Sequence, residues 1–191
     1  MTKARLEAFS DGVIAILITI LVLELHTPHE TTWSALAPVV PVFLTYVLSF
    51  VFLGIYWNNH HHMLHAADRI NGAILWANLH LLFWLSLIPF VTGWMGQNHF
   101  AAIPTAAYGI VLMCAGIAYY ILAQALIAEA GPDSRLARAF GADWKGKLSV
   151  VAYAVAIGLA FVNQWVSDAI YVSVATMWLV PDRRIETRAR T

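Results

Sequence analysis

The sequence predicts an all-α polytopic membrane protein with six transmembrane helices per subunit. Three observations carry that prediction. The 191 residues are 60% hydrophobic and only 12% charged, whereas soluble domains carry about 25% charged residues. Apolar runs recur along the whole chain at the length of roughly 20 residues that a helix needs to cross the hydrocarbon core. When six spans are assigned, all 11 lysines and arginines fall on one side of the bilayer, as the cytoplasmic bias of basic residues requires.

The first span covers residues 6–26. It does not read as a cleaved signal peptide, because Glu7 and Asp11 interrupt the approach to the apolar core and no small-x-small cleavage site follows Leu25. It therefore counts as mature protein. The second span covers 36–58, with Pro38 and Pro41 near its start, the third 70–94 and the fourth 102–128. Two shorter runs, Leu148–Val162 and Ala169–Val180, flank "NQWVSD". Extended by their neighbours they give spans 147–163 and 166–181, a tight helical hairpin. A single bent helix is the alternative.

Basic residues favour the hairpin and set the orientation. Lys3 and Arg5 precede span one, and Arg69 lies between spans two and three. Arg135, Arg138, Lys145 and Lys147 lie between spans four and five, and Arg183, Arg184, Arg188 and Arg190 follow span six. The loops "HTPHETTWSALA", "GWMGQNHFAA" and "NQWVSD" carry none. Both termini are expected in the cytoplasm and the protein in the cell membrane, since a single final helix would put the last arginines outside. "EAGPDSRLARAFGADWKGK" has room for a short amphipathic surface helix but not for a core, so residues 1–191 read as one domain. A formal net charge of zero gives no bulk attraction to nucleic acid. The single Cys114 sits in an apolar run, which excludes an intrachain disulfide and suits a structural thiol.

The most informative stretch is "RLEAFSDGVIAILITILVLEL", residues 5–25. Arg5 and Glu7 suit an interface, but Asp11 lies about one turn deeper, where a charge costs more and needs a partner or water. Arg5 and Asp11 are six apart and do not stack as an i,i+4 pair, so their partners belong to another helix or chain. Ser10 suits such a network. Positions 16, 19, 20 and 23 share one helical face. Thr19 stands either as a hydroxyl bonded back to its own backbone or as a functional group. Periodicity does not say which face meets lipid, because nearly every face is apolar.

The same stretch resembles the first-helix signature of the transmembrane-protein-175 family, the FSD-motif potassium channels. Arg5, then Phe9-Ser10-Asp11-Gly12, then the apolar run through Thr19 to Glu24 carry the resemblance. "YWNNHHHML" and "LWANLHLLFWLSLIPF" resemble the family's second and third helices. Beyond residue 100 only the topology agrees. Ile14 stands where Phe is common and Leu17 where a small residue is common. The resemblance implies a homotetramer of six-span subunits in a lipid bilayer, with the first helix lining a central pore for potassium and other monovalent cations, and no cofactor. It also implies a pore without the filter loop of ordinary potassium channels, and no TVGYG-like stretch occurs. By position after the motif, Ile16 and Leu23 match hydrophobic constrictions with Ile20 between them. Thr19 matches a layer implicated in potassium preference. Arg5, Ser10 and Asp11, with Phe9 of the motif, match the structural cluster that holds the pore helix to its neighbours.

Histidines offer competing chemistry. His61 and His65 in "NNHHHMLH" are i,i+4, as a zinc site would use, but a convincing third ligand is missing and Asp68 is weak support. The default is a polar helix end, with no metal. His80, near Trp76, Asn78 and Trp84, reads either as a neutral histidine bonded across helices or, with Trp57, His60, His61 and Asn78, as support for the FSD cluster. Glu24 is either a solvated helix end or a member of an acidic ring at an outer mouth. Asp168 is assigned no role. A histidine-based haem or metal membrane protein and a proton-coupled transporter are the alternatives to a channel. Haem needs histidines facing one another. Carriers usually show internal repeats or helices broken near the midplane, and no repeat is found here.

Overall fold

The computed structural model describes residues 2–67, 69–140 and 143–179. Asp68, the end of the sixth expected span at 180–181, and Arg183, Arg184, Arg188 and Arg190 lie outside the described residues. α1 runs Lys3–Leu21 and ends in a 3-10 turn at Val22–Glu24. After a 3-10 segment at Trp33–Val39, α2 runs Val40–His65. α3 (Gly72–Ser86) and α4 (Ile88–Gln97) are two halves of one broken helix. α5 runs Ala102–Ala130, and α6 is a short helix at Arg135–Phe140. α7 (Trp144–Leu159) and α8 (Gln164–Leu179) complete the described chain.

Among the described residues, four helical segments are long and apolar enough to cross a membrane: Lys3–Glu24, Trp33–His65, Gly72–Gln97 and Ala102–Ala130. The 16 residues of α7 and the 16 of α8 give roughly 24 Å each at 1.5 Å per residue, so each falls short of that length. They pack as an antiparallel hairpin. At one end Trp178 Nε1 donates to Ser149 Oγ at 2.9 Å, and at the other Ser167 Oγ donates to the Ala156 carbonyl at 2.7 Å.

Helix boundaries depart from the hydropathy pattern at two places. The second helix continues to His65, seven residues past the expected end at 58. Hydropathy falls at "NNHHH", but the backbone ladder does not, because His60, Met63 and Leu64 are buried against the subunit while His61, His62 and His65 face out. The third span is not continuous over 70–94. Pro89 has no N–H and its ring excludes the carbonyl four residues back. Leu87 N instead bonds Trp84 O at 3.2 Å, and a new helix starts with Val91 N to Leu87 O at 3.1 Å.

Cross-helix bonds fix which ends lie together. Lys3 Nζ donates to the His65 carbonyl at 2.6 Å, Asn71 Nδ2 to Glu129 Oε2 at 2.7 Å, and Lys145 Nζ to the Met177 carbonyl at 3.4 Å. The start of α1, the end of α2, the start of α3, the end of α5, the start of α7 and the end of α8 therefore share one end of the bundle. Lys3, Arg5, Arg69, Arg138, Lys145 and Lys147 sit at or beside these helix ends. α5 is central, packing on α3, α4, α7 and α8. Its Tyr108 lies at the middle of the core with Tyr171 of α8, both fully buried. The Tyr108 hydroxyl bonds Ser49 Oγ at 2.9 Å, and Ser49 bonds Thr92 Oγ1 at 2.6 Å. Buried hydroxyls are thus paired across α2, α4 and α5, as an apolar surround requires.

Candidate functional site

The two faces of α1 have opposite fates. Leu6, Ser10, Ile14, Leu17 and Leu21 recur at intervals of three or four and are buried in the subunit. Phe9, Ile16, Ile20 and Leu23 are exposed, at 47%, 58%, 37% and 74%. Arg5, Gly12 and Thr19 share that bare face. The expected constriction residues Ile16, Ile20 and Leu23 and the expected layer residue Thr19 are thereby brought onto one stripe.

Ser10 is the polar member of the buried row. Asn78 on α3 reaches it, Nδ2 donating to Ser10 Oγ at 2.9 Å. The other side of the same amide, Oδ1, lies 2.7 Å from His60 Nε2 on α2. An amide oxygen only accepts, so Nε2 carries the proton and the His60 ring is held in that tautomer. Nδ1 is left as a buried acceptor without a partner among the described residues. Three helices are therefore joined through Ser10, Asn78 and His60, all essentially inaccessible. Next along α1, Asp11 Oδ1 accepts from Trp57 Nε1 of α2 at 3.1 Å. Trp57 stacks on His61, and His61 on His65, with ring centroids 6.3 and 6.1 Å apart.

Other expected members of the cluster stand apart. Arg5 and Phe9 are exposed on the bare stripe, away from Ser10. Among the described residues Arg5 has no hydrogen-bond or ion-pair partner. His80 is also exposed, and it accepts from Trp84 Nε1 of its own helix at 3.0 Å rather than reaching across to the cluster. The i,i+4 spacing of the two side chains explains this. His61 belongs to the outer ring stack and not to the buried amide bridge. Glu24 does not project from the stripe. Its carboxylate turns back onto α4, 3.4 Å from Gln97 Nε2.

Sequence reasoning passed over Gly93 and Gln97, whose i,i+4 spacing puts a gap and an amide on one face of α4. It also passed over the Ser49–Thr92–Tyr108 cluster, because isolated hydroxyls in apolar runs look alike until their helices are packed. Among the described residues, no three His, Cys, Asp or Glu side chains converge as a metal site would need. His60 bonds Asn78, His80 accepts from Trp84, and His61, His62 and His65 crowd the end of α2.

Comparison with known proteins finds relatives along almost the whole chain. The family described as endosomal/lysosomal potassium channel TMEM175 matches residues 5–89. A potassium channel of Chryseobacterium sp. (strain P1-3) is 50% identical over 186 residues, 97% of either chain. A potassium channel of Streptomyces collinus is 31% identical over 174 residues, 84% of either chain. The crystal structure of a lysosomal potassium-selective channel TMEM175 homologue from Chamaesiphon minutus superposes with a TM-score of 0.82 at 26% identity, covering 93% of this chain and 96% of that one. Similarity beyond residue 100 is thus in sequence as well as topology. A multi-pass all-α membrane architecture, the FSD helix clasped by Asn78 and Trp57, and relatedness along almost the full length give one conclusion: the chain belongs to the TMEM175 family, ion channels rather than enzymes, as a homologue of its prokaryotic potassium channels.

Proposed function

We propose that the chain is the subunit of a homotetrameric, potassium-permeable cation channel whose central pore is lined by α1. The observation that carries this reading is the bare stripe of Phe9, Gly12, Ile16, Thr19, Ile20 and Leu23. The subunit's own packing leaves it uncovered, in a chain 50% identical to a potassium channel over 97% of its length. One α1 cannot enclose a pathway, whereas four related by a rotation axis can. The reading takes α7 and α8 as the last two of six spans and puts both termini in the cytoplasm, the end where the described lysines and arginines gather.

In that arrangement Ile16, Ile20 and Leu23 form successive apolar rings from the inner to the outer part of the pore. Such rings hold back water and ions by withholding replacement for lost hydration, so they gate and limit conductance. Thr19 adds the oxygen chemistry. Its hydroxyl donates to the Ile16 carbonyl at 2.8 Å, which occupies the proton and leaves the oxygen lone pairs for a partially dehydrated cation or its water. The backbone-bonded and functional readings of Thr19 are then the same arrangement seen from two sides. Ser10, Asn78, His60, Asp11 and Trp57 hold the stripe at a fixed rotation. Recording purified protein in planar bilayers under opposed potassium and sodium gradients tests the reading. A reversal potential displaced toward that of potassium supports it, and an electrically silent bilayer with inserted protein refutes it.

A further inference from the structure

The outer end of α1 presents an unusual pairing. A Cβ built on Gly93 would overlap the Glu24 carboxylate, lying 2.6 Å from the Glu24 carboxyl carbon. The nearby Gly96 differs, because there the crowding atoms include the Val42 backbone at 2.6 Å, an approach of two helices typical of small residues in membrane packing. At Gly93 what fills the gap is the charged tip of a side chain. Gln97 Nε2, one turn on, lies 3.4 Å from the same carboxylate. α4 ends at Gln97, so this carboxylate lies near the negative end of a helix dipole, where an anion is disfavoured. The loops expected at this end contain no lysine or arginine to balance it.

We propose that Gly93, with Gln97, is a positioning residue that seats the Glu24 carboxylate at the outer end of the pore helix, where its four copies concentrate monovalent cations for the channel. The inference rests on the channel reading and adds to it a source of outer-mouth charge and the device that holds it. The seat holds the charge on α4 at the outer end of the pore helix, behind the stripe that carries Leu23, rather than swinging in solvent. A cation arriving from outside supplies the balance that the protein withholds. Because the atom displaced by a new methyl group is the far end of a flexible chain, Gly93→Ala unseats the carboxylate without removing it and at small cost to packing.

The test is single-channel potassium conductance of wild type, Glu24→Gln, Gly93→Ala and Gln97→Ala at low and high salt. At ~0.02 M salt Glu24→Gln is expected to conduct about three-fold less than wild type, and Gly93→Ala and Gln97→Ala about 1.5- to two-fold less, because local cation enrichment follows the fixed charge. At 1 M salt, where the Debye length is about 3 Å, all four should agree within about 20%. Glu24→Gln equal to wild type at low salt overturns the charge role. A loss of the same size at both salt levels also overturns it, since that is the mark of a structural role. Wild-type behaviour of both Gly93→Ala and Gln97→Ala overturns the seat. Wild-type protein that passes no potassium overturns the channel reading itself, so the two failures are distinguishable.

Discussion

Asn78 shows how much one side chain carries. Its amide uses one end as donor to Ser10 and the other as acceptor from His60, so replacing it strands two buried groups. Cross-helix hydrogen bonds in membranes average about 0.6 kcal/mol, with a maximum near 1.7, but an unsatisfied buried donor costs about 1–3 kcal/mol. Asn78→Leu should therefore destabilise the folded subunit by about 2–3 kcal/mol, read as a lower midpoint in detergent unfolding. Asn78→Gln should recover little, because the longer amide misplaces both ends. Thr19 gives the matching test of selectivity. Thr19→Val keeps the shape but removes the oxygen, and reversal potentials under mixed potassium and sodium should show a lower potassium preference with little change in stability. The Ser10 requirement was legible in sequence from its place in a motif and the cost of burying it. Asn78 was named with Trp57, His60, His61 and His80 as support for the motif, but which of them reaches Ser10 was not legible, because a histidine and a tryptophan four apart on one helix satisfy each other just as well.

On the scale of the helix, the decisive variable is the rotation of α1. Every face of "GVIAILITILVLEL" is apolar, so periodicity could not separate Ile14, which is fully buried, from Ile16, which is 58% exposed. The rotation is set by polar pins outside that run, Ser10 to α3 and Asp11 to α2. Asp11 separates charge from hydrogen bonding. Asp11→Asn can keep an oxygen opposite Trp57 Nε1, whereas Asp11→Ala leaves the indole N–H unpaired. Thermal unfolding should rank Asp11→Asn near wild type and Asp11→Ala and Trp57→Phe below it by about 1–2 kcal/mol. Equal midpoints for all three would contradict the pin. The longer α2 and the break between α3 and α4 depart from the hydropathy pattern for a common reason. Hydropathy measures side chains, while helix continuity depends on backbone hydrogen bonds, which polar histidines do not interrupt and Pro89 does.

At the scale of the whole molecule, the four segments that are long and apolar enough to cross a membrane among the described residues were legible, because apolar length marks a crossing. Assembly was not legible from residues alone, since an uncovered apolar stripe looks the same whether lipid or another subunit meets it. The channel reading requires four chains. Native mass spectrometry in mild detergent should give a tetramer, and a persistent monomer would count against it. The claim on which everything else turns is that the bare stripe of α1 faces the ion pathway. Silver block of single-cysteine variants along α1, in a Cys114→Ala background, measures this directly. Cysteines at Ile16, Thr19, Ile20 and Leu23 should make the potassium current silver-sensitive, while those at Ile14, Leu17 and Leu21 should leave it unaltered. Block at the second set and none at the first would place the pore on the opposite face of the helix and contradict the account.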